Sequence, residues 1–131
     1  MEAWVENYIG IPYLEHGRTH DGCDCWGLVR LVLAEVFLHE VPSLTNDYGP
    51  VEASVTARLI DQTSAGIDAR RVADPLPGDI AVIRVLGVPS HVGVIVGPWH
   101  VLHVKRGTQA IVERLDVNHM SNRIEGYYRV L

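Results

Sequence analysis

The chain has 131 residues, 47% of them hydrophobic, and a formal net charge of −5. That length suits a single domain over residues 1–131 with a core of its own, and the acidic balance lacks the basic stripe of a phosphate-neutralising surface, so nucleic acid is not an expected partner. No run reaches the ~20 consecutive apolar residues that cross a bilayer, because Arg30 and Glu35 interrupt the most apolar stretch, residues 28–38, and membrane insertion is not expected.

In chain order, residues 1–9 can form a short helix ended by Gly10 and Pro12. Glu2 and Glu6 stand where a secretory signal would carry Lys or Arg ahead of an apolar run, so synthesis in the cytoplasm without an export signal is expected. Residues 10–24, rich in Gly, His, Asp and Thr, read as a loop. The apolar segment 25–38 is long enough to favour helix over strand. Asp24 precedes it as an N-cap, and Cys25, Val29, Val32 and Val36 fall at i, i+4, i+7 and i+11, one face of a helix. A second loop covers 41–50, and residues 52–65 suit a further helix closed by Gly66. Beyond the turn Pro77-Gly78-Asp79 come five short β-branched runs, 80–85, 91–96, 100–104, 110–115 and 125–130, each bounded by Gly, Pro or Asn. Most of the turns between them are too short for crossover helices, so the sheet is expected to be largely antiparallel. The fold class is α+β, N-terminal helices packed on five to six strands.

Cys25 opens a helix, where unsatisfied N–H groups and the positive end of the dipole favour thiolate. Cys23 lies one residue away, and a disulfide between the two would close a tiny strained loop. A base for the thiol must come from elsewhere, and His91 opens the second strand. If the second and third strands turn about Gly97-Pro98, residue numbers 91 and 103 both fit a sum of 194, which sets His91 directly opposite His103. His103 could then orient the His91 imidazole. Glu113, Asp116 and Asn118 are rivals for that role.

Three separated motifs, Asp24-Cys25-Trp26-Gly27-Leu28-Val29, Ser90-His91-Val92-Gly93-Val94 and the polar His103, resemble those of the NlpC-type cell-wall peptidases, which have a papain-like fold. The segment PLPGDIAVIRV resembles that family's first core strand. The resemblance implies a peptidoglycan endopeptidase, cutting the D-glutamyl-diaminopimelate bond, with Cys25 as nucleophile, His91 as base, His103 as orienter and Tyr13 supporting the oxyanion. It assigns Asp24, Trp26 and Ser90 to substrate binding and implies neither cofactor nor metal. Cell-wall members usually carry serine where this chain has Trp26, so the manner of substrate recognition is expected to differ. The segment GCDCWGLVRLV is similar to a short domain in the tail-tip proteins of long-tailed phages and gene-transfer particles. This implies a place in a virion tail tip, with tail-tip or baseplate proteins and the peptidoglycan stem peptide as partners.

Other readings stay open at this point. His16, His20, Cys23 and Cys25 could together hold zinc, although H-x3-H-x2-C-x-C is not a standard ligand spacing. The same Cys-His pair could pass an acyl group to an amine or alcohol instead of water, and a structural tail plug could retain the motifs as packing.

Overall fold

The structure, a computed structural model, describes residues 2–44 and 67–131. The helix expected over 52–65 and most of the second loop lie outside the described residues. Ala3–Asn7 is a 3-10 helix and the chain turns away through Gly10 at φ 93°, as the Gly-Ile-Pro sequence anticipates. The loop that follows carries a two-stranded hairpin, β1 (Arg18–Thr19) with β2 (Gly22–Cys23), too short to leave a pattern in the sequence.

Helix α1 spans Cys25–Glu35. Asp24 caps it from an extended backbone, its Oδ1 accepting from the Gly27 N–H at 2.8 Å, which satisfies one of the donors a helix start leaves open. The helix stops short of residue 38. Leu38 takes a left-handed φ of 57° and His39 N–H bonds the Leu33 carbonyl at 2.9 Å. Glycine usually marks such an exit, and without one the apolar run reads as helix to its end.

Among the described residues six strands form the main sheet: β3 (Ala69–Val72), β4 (Ile80–Val85), β5 (Val88–Gly97), β6 (His100–His103), β7 (Ile111–Arg114) and β8 (Ile124–Val130). Their order is β3-β8-β4-β5-β6-β7 and every pairing is antiparallel. Even-numbered residues Ile80, Val82, Val92, Val94 and Leu102 pack with Trp26, Leu28, Val29 and Val32 of α1. Odd-numbered Ala81, Ile83, Ile95 and Val101 pack on the other side with Leu115 and Met120, the latter on a helical turn, Asn118–Ser121. With both faces covered, the central strands need apolar residues at successive positions, which explains why IAVI and VGVIV barely alternate. Each fully buried Val, Leu or Ile among them stabilises the fold by roughly 1.5–3 kcal/mol. The Pro77-Gly78-Asp79 turn is held from β8, where Arg129 donates two bonds to the buried Asp79 carboxylate at 2.9 and 2.8 Å.

Candidate active site

The cap places Cys25 in the first turn of α1, and neighbouring backbone crowds in around it. A Cβ at Gly27 would collide with the Gly17 carbonyl oxygen, so glycine there lets the preceding loop lie against the helix start. Asp24, expected as a substrate contact, is wholly buried: besides Gly27 it accepts from Arg18 Nη1 at 2.8 Å and from the His16 backbone N–H at 3.0 Å. Trp26, expected likewise, is also wholly buried and donates its indole N–H to the Pro42 carbonyl at 3.0 Å. Both turn inward because a capping carboxylate and a core indole are spent on holding the helix, and neither offers surface to a substrate.

His91 and His103 meet, but not by the expected register. The turn is centred on Pro98-Trp99 and Val96 is bulged, so beyond the bulge Val94 pairs with Leu102 and Ile95 with Val101. His103 therefore sits across from Gly93, and His91 is its diagonal neighbour on the same face. A Cβ at Gly93 would lie 3.1 Å from His103 Cβ and 2.6 Å from Val101 Cγ2, so the glycine leaves the room in which the two imidazoles meet. His91 Nε2 lies 2.8 Å from His103 Nδ1. His103 Nε2 lies 2.8 Å from Glu113 Oε2, again a diagonal step, since His103 pairs with Ile111. A second bulge precedes His91: Ile83 pairs with His91 but Arg84 with Pro89, leaving Ser90 inserted between them. Such bulges re-aim side chains next to functional sites.

Glu113 is thus not a rival to His103 but stands behind it, while Asp116 is engaged at the surface by Arg114 at 2.6 and 2.9 Å. An ionised Glu113 can only accept, so His103 Nε2 carries its proton. His103 Nδ1 then accepts from His91 Nε2–H, and His91 Nδ1 keeps the lone pair a base requires. Burial first, then the charges of His103, Arg123 and Lys105, push the His91 imidazolium down to about 3. His91 is therefore neutral at pH 7, with its Nδ1 unprotonated.

Cys25 and His91 line one cavity of about 290 Å³, together with Tyr13, Val85, Ser90, Val104, Lys105, Arg106 and Arg123. Tyr13 is tied to this wall through its N–H to the Thr108 carbonyl at 3.0 Å, and Arg106 stacks 5.3 Å above its ring. A larger cavity, about 590 Å³, lies at the far end of β5 around Trp99 and Leu76 and shares none of the described residues with this one. The zinc reading finds no ligand set: His20 Nε2 faces Glu35 at 2.8 Å and the Cys23 thiol faces the Thr19 carbonyl. Among the described residues no three of His, Cys, Asp and Glu converge on a metal position. Burial, with Asp24 adding to it, pushes the Cys23 thiol up to about 12 and leaves it inert.

The fold thus sets a cysteine at a helix head and a neutral imidazole, braced from behind, along one cavity of a papain-like architecture. The NlpC/P60 family model matches residues 10–129, and the chain belongs to the NlpC/P60 family. No curated protein matches it. Among solved structures it is similar to the NlpC/p60 domain of the peptidoglycan hydrolase SagA, at 22% identity over 98% of this chain and 94% of that one, with a TM-score of 0.62. It is also similar to an NLP/P60-family protein of Staphylococcus aureus subsp. aureus Mu50 (18% identity, 97% of this chain and 40% of that one, TM-score 0.64) and to NlpC1 of Trichomonas vaginalis (19%, 96% and 41%, TM-score 0.60). The chain spans nearly all of the SagA domain and about two fifths of the other two. At these identities the likeness speaks for the fold.

Proposed function

We propose that this protein is a cysteine endopeptidase that hydrolyses an amide of the peptidoglycan stem peptide. The observation that carries the proposal is the pair of 2.8 Å hydrogen bonds from His91 through His103 to Glu113, behind a cavity that Cys25 also lines. Family membership and the likeness to the SagA domain support the cell-wall substrate.

In the first half-reaction the Cys25 thiol gives its proton to His91 Nδ1 and the sulfur attacks the amide carbonyl. His91 then delivers that proton to the leaving amine as the C–N bond breaks, leaving a thioester on Cys25. In the second, water loses a proton to His91 and adds to the thioester, and the thiol is restored as the acid leaves. The Tyr13 phenol and the Cys25 backbone N–H stabilise the oxyanion of each tetrahedral intermediate, and Ser90 borders the bound peptide. His103 fixes the His91 tautomer, and the Glu113 carboxylate behind it offsets the positive charge of the imidazolium. The finer reading, a D-glutamyl-diaminopimelate bond cut from a virion tail tip, draws its support from the motif segments, GCDCWGLVRLV above all.

Reduced wild type and Cys25→Ala incubated with peptidoglycan sacculi test this. The wild type alone is expected to release new amines and muropeptides whose masses locate the cut in the stem. Equal release by Cys25→Ala, or none by the wild type, contradicts the proposal.

A further inference from the structure

The cavity beside Cys25 has a charge the rest of the chain does not. The protein carries 16 acidic and 11 basic side chains. Yet among the described residues three cations, Lys105, Arg106 and Arg123, line the cavity and no carboxylate does. Lys105 is the only lysine in the chain. Arg106 answers in part to Glu15, at 3.9 Å. Lys105 and Arg123 pair with no acid among the described residues.

Both are held in place by backbone. Lys105 opens a tight turn in which the Thr108 N–H and hydroxyl donate to its carbonyl at 3.0 and 2.6 Å, with Gly107 at φ 78°. Glycine is the residue that takes this left-handed position without strain. Arg123 stands just ahead of β8, its Nε donating to the Arg84 carbonyl at 2.9 Å while Arg84 N–H bonds the Arg123 carbonyl, which directs the guanidinium at the cavity. The two charges are near enough to the reacting imidazole to help depress its protonation. Like charges facing one cavity repel, and an anionic ligand would relieve that repulsion.

We propose that Lys105 and Arg123 form a carboxylate subsite, so that the enzyme selects peptides carrying a free carboxylate next to the scissile amide over their carboxamide counterparts. The inference rests on the endopeptidase reading and names its substrate class. It supplies a recognition element where Asp24 and Trp26 are turned inward. A γ-linked glutamyl residue and a diaminopimelyl residue each bring such a carboxylate.

The test is turnover of three synthetic peptides, L-alanyl-γ-D-glutamyl-diaminopimelate and its two carboxamides, one at the glutamyl α-carboxylate and one at the diaminopimelyl carboxylate beside the cut. The wild type is expected to favour the free acid over at least one carboxamide by tenfold or more in kcat/KM. That ratio should fall towards one in Lys105→Gln and in Arg123→Gln, persist in Lys105→Arg, and be untouched by Arg70→Gln, which removes an edge-strand cation away from the cavity. Equal turnover of all three by the wild type, or ratios unmoved in both Gln variants, overturns the subsite and leaves the endopeptidase standing. If the wild type cleaves none, the endopeptidase reading falls, and equilibrium binding of the same peptides to Cys25→Ala decides the subsite. Tighter binding of the free acid upholds it, and equal or absent binding overturns it.

Discussion

An ionised Glu113 has no proton to give, so the His103 nitrogen facing it must hold one. From that one assignment the protons on both imidazoles follow, and the nitrogen left bare on His91 is the one a thiol can use. The carboxylate does more than choose a tautomer. When His91 becomes an imidazolium its charge is buried, and a negative group two hydrogen bonds away lowers that cost. Glu113→Gln keeps an acceptor for His103 but removes the charge. A hydrogen bond to a charged group contributes about 1.5–3 kcal/mol, so kcat/KM is expected to fall roughly 10- to 100-fold with KM little changed, and Glu113→Ala to lose more. Wild-type kinetics in both variants would reduce Glu113 to a brace for the fold. In the sequence Glu113 was visible as a polar residue on a strand, but only the pairing of β6 with β7 places it behind His103 instead of beside His91.

The elements were legible where periodicity or punctuation marks them. Helix α1, its Asp24 cap and the five strands after Pro77 all stand out, because capping chemistry and β-branched runs are local. Strand β3 was missed: its sequence, ARRV, is charged, and it earns its place through backbone pairing with β8. Register was missed for a related reason, since the bulges at Ser90 and Val96 insert single residues without altering composition. Gly93 shows what that costs a sequence reading, for its role depends on which side chain lies across the ladder. Gly93→Ala forces a methyl against Val101, Leu102 and His103, and overpacking of this kind costs about 1–3 kcal/mol. The melting temperature should drop and activity should fall further than the lost folded fraction explains, because His103 is pushed off its line to His91. An unchanged melting temperature and rate would show that the strand yields freely and that the glycine is not needed.

Across the whole molecule, residues 25, 91, 103 and 113 come from one helix and three successive strands of an antiparallel sheet. Their order in the chain and their residue types were readable; their convergence depends on a hairpin turn, two bulges and a glycine that no periodic pattern reveals. The claim that they act as one device is that Cys25 owes its reactivity to a neutral, braced His91. Timed alkylation of the reduced protein with iodoacetamide at pH 7, read by peptide mass, tests this without any substrate. The wild type should acquire a single adduct, on Cys25, with Cys23 spared by its raised pKa, and His91→Gln should react at least tenfold more slowly. Equal rates in wild type and His91→Gln, or an adduct on Cys23 instead, would contradict the account.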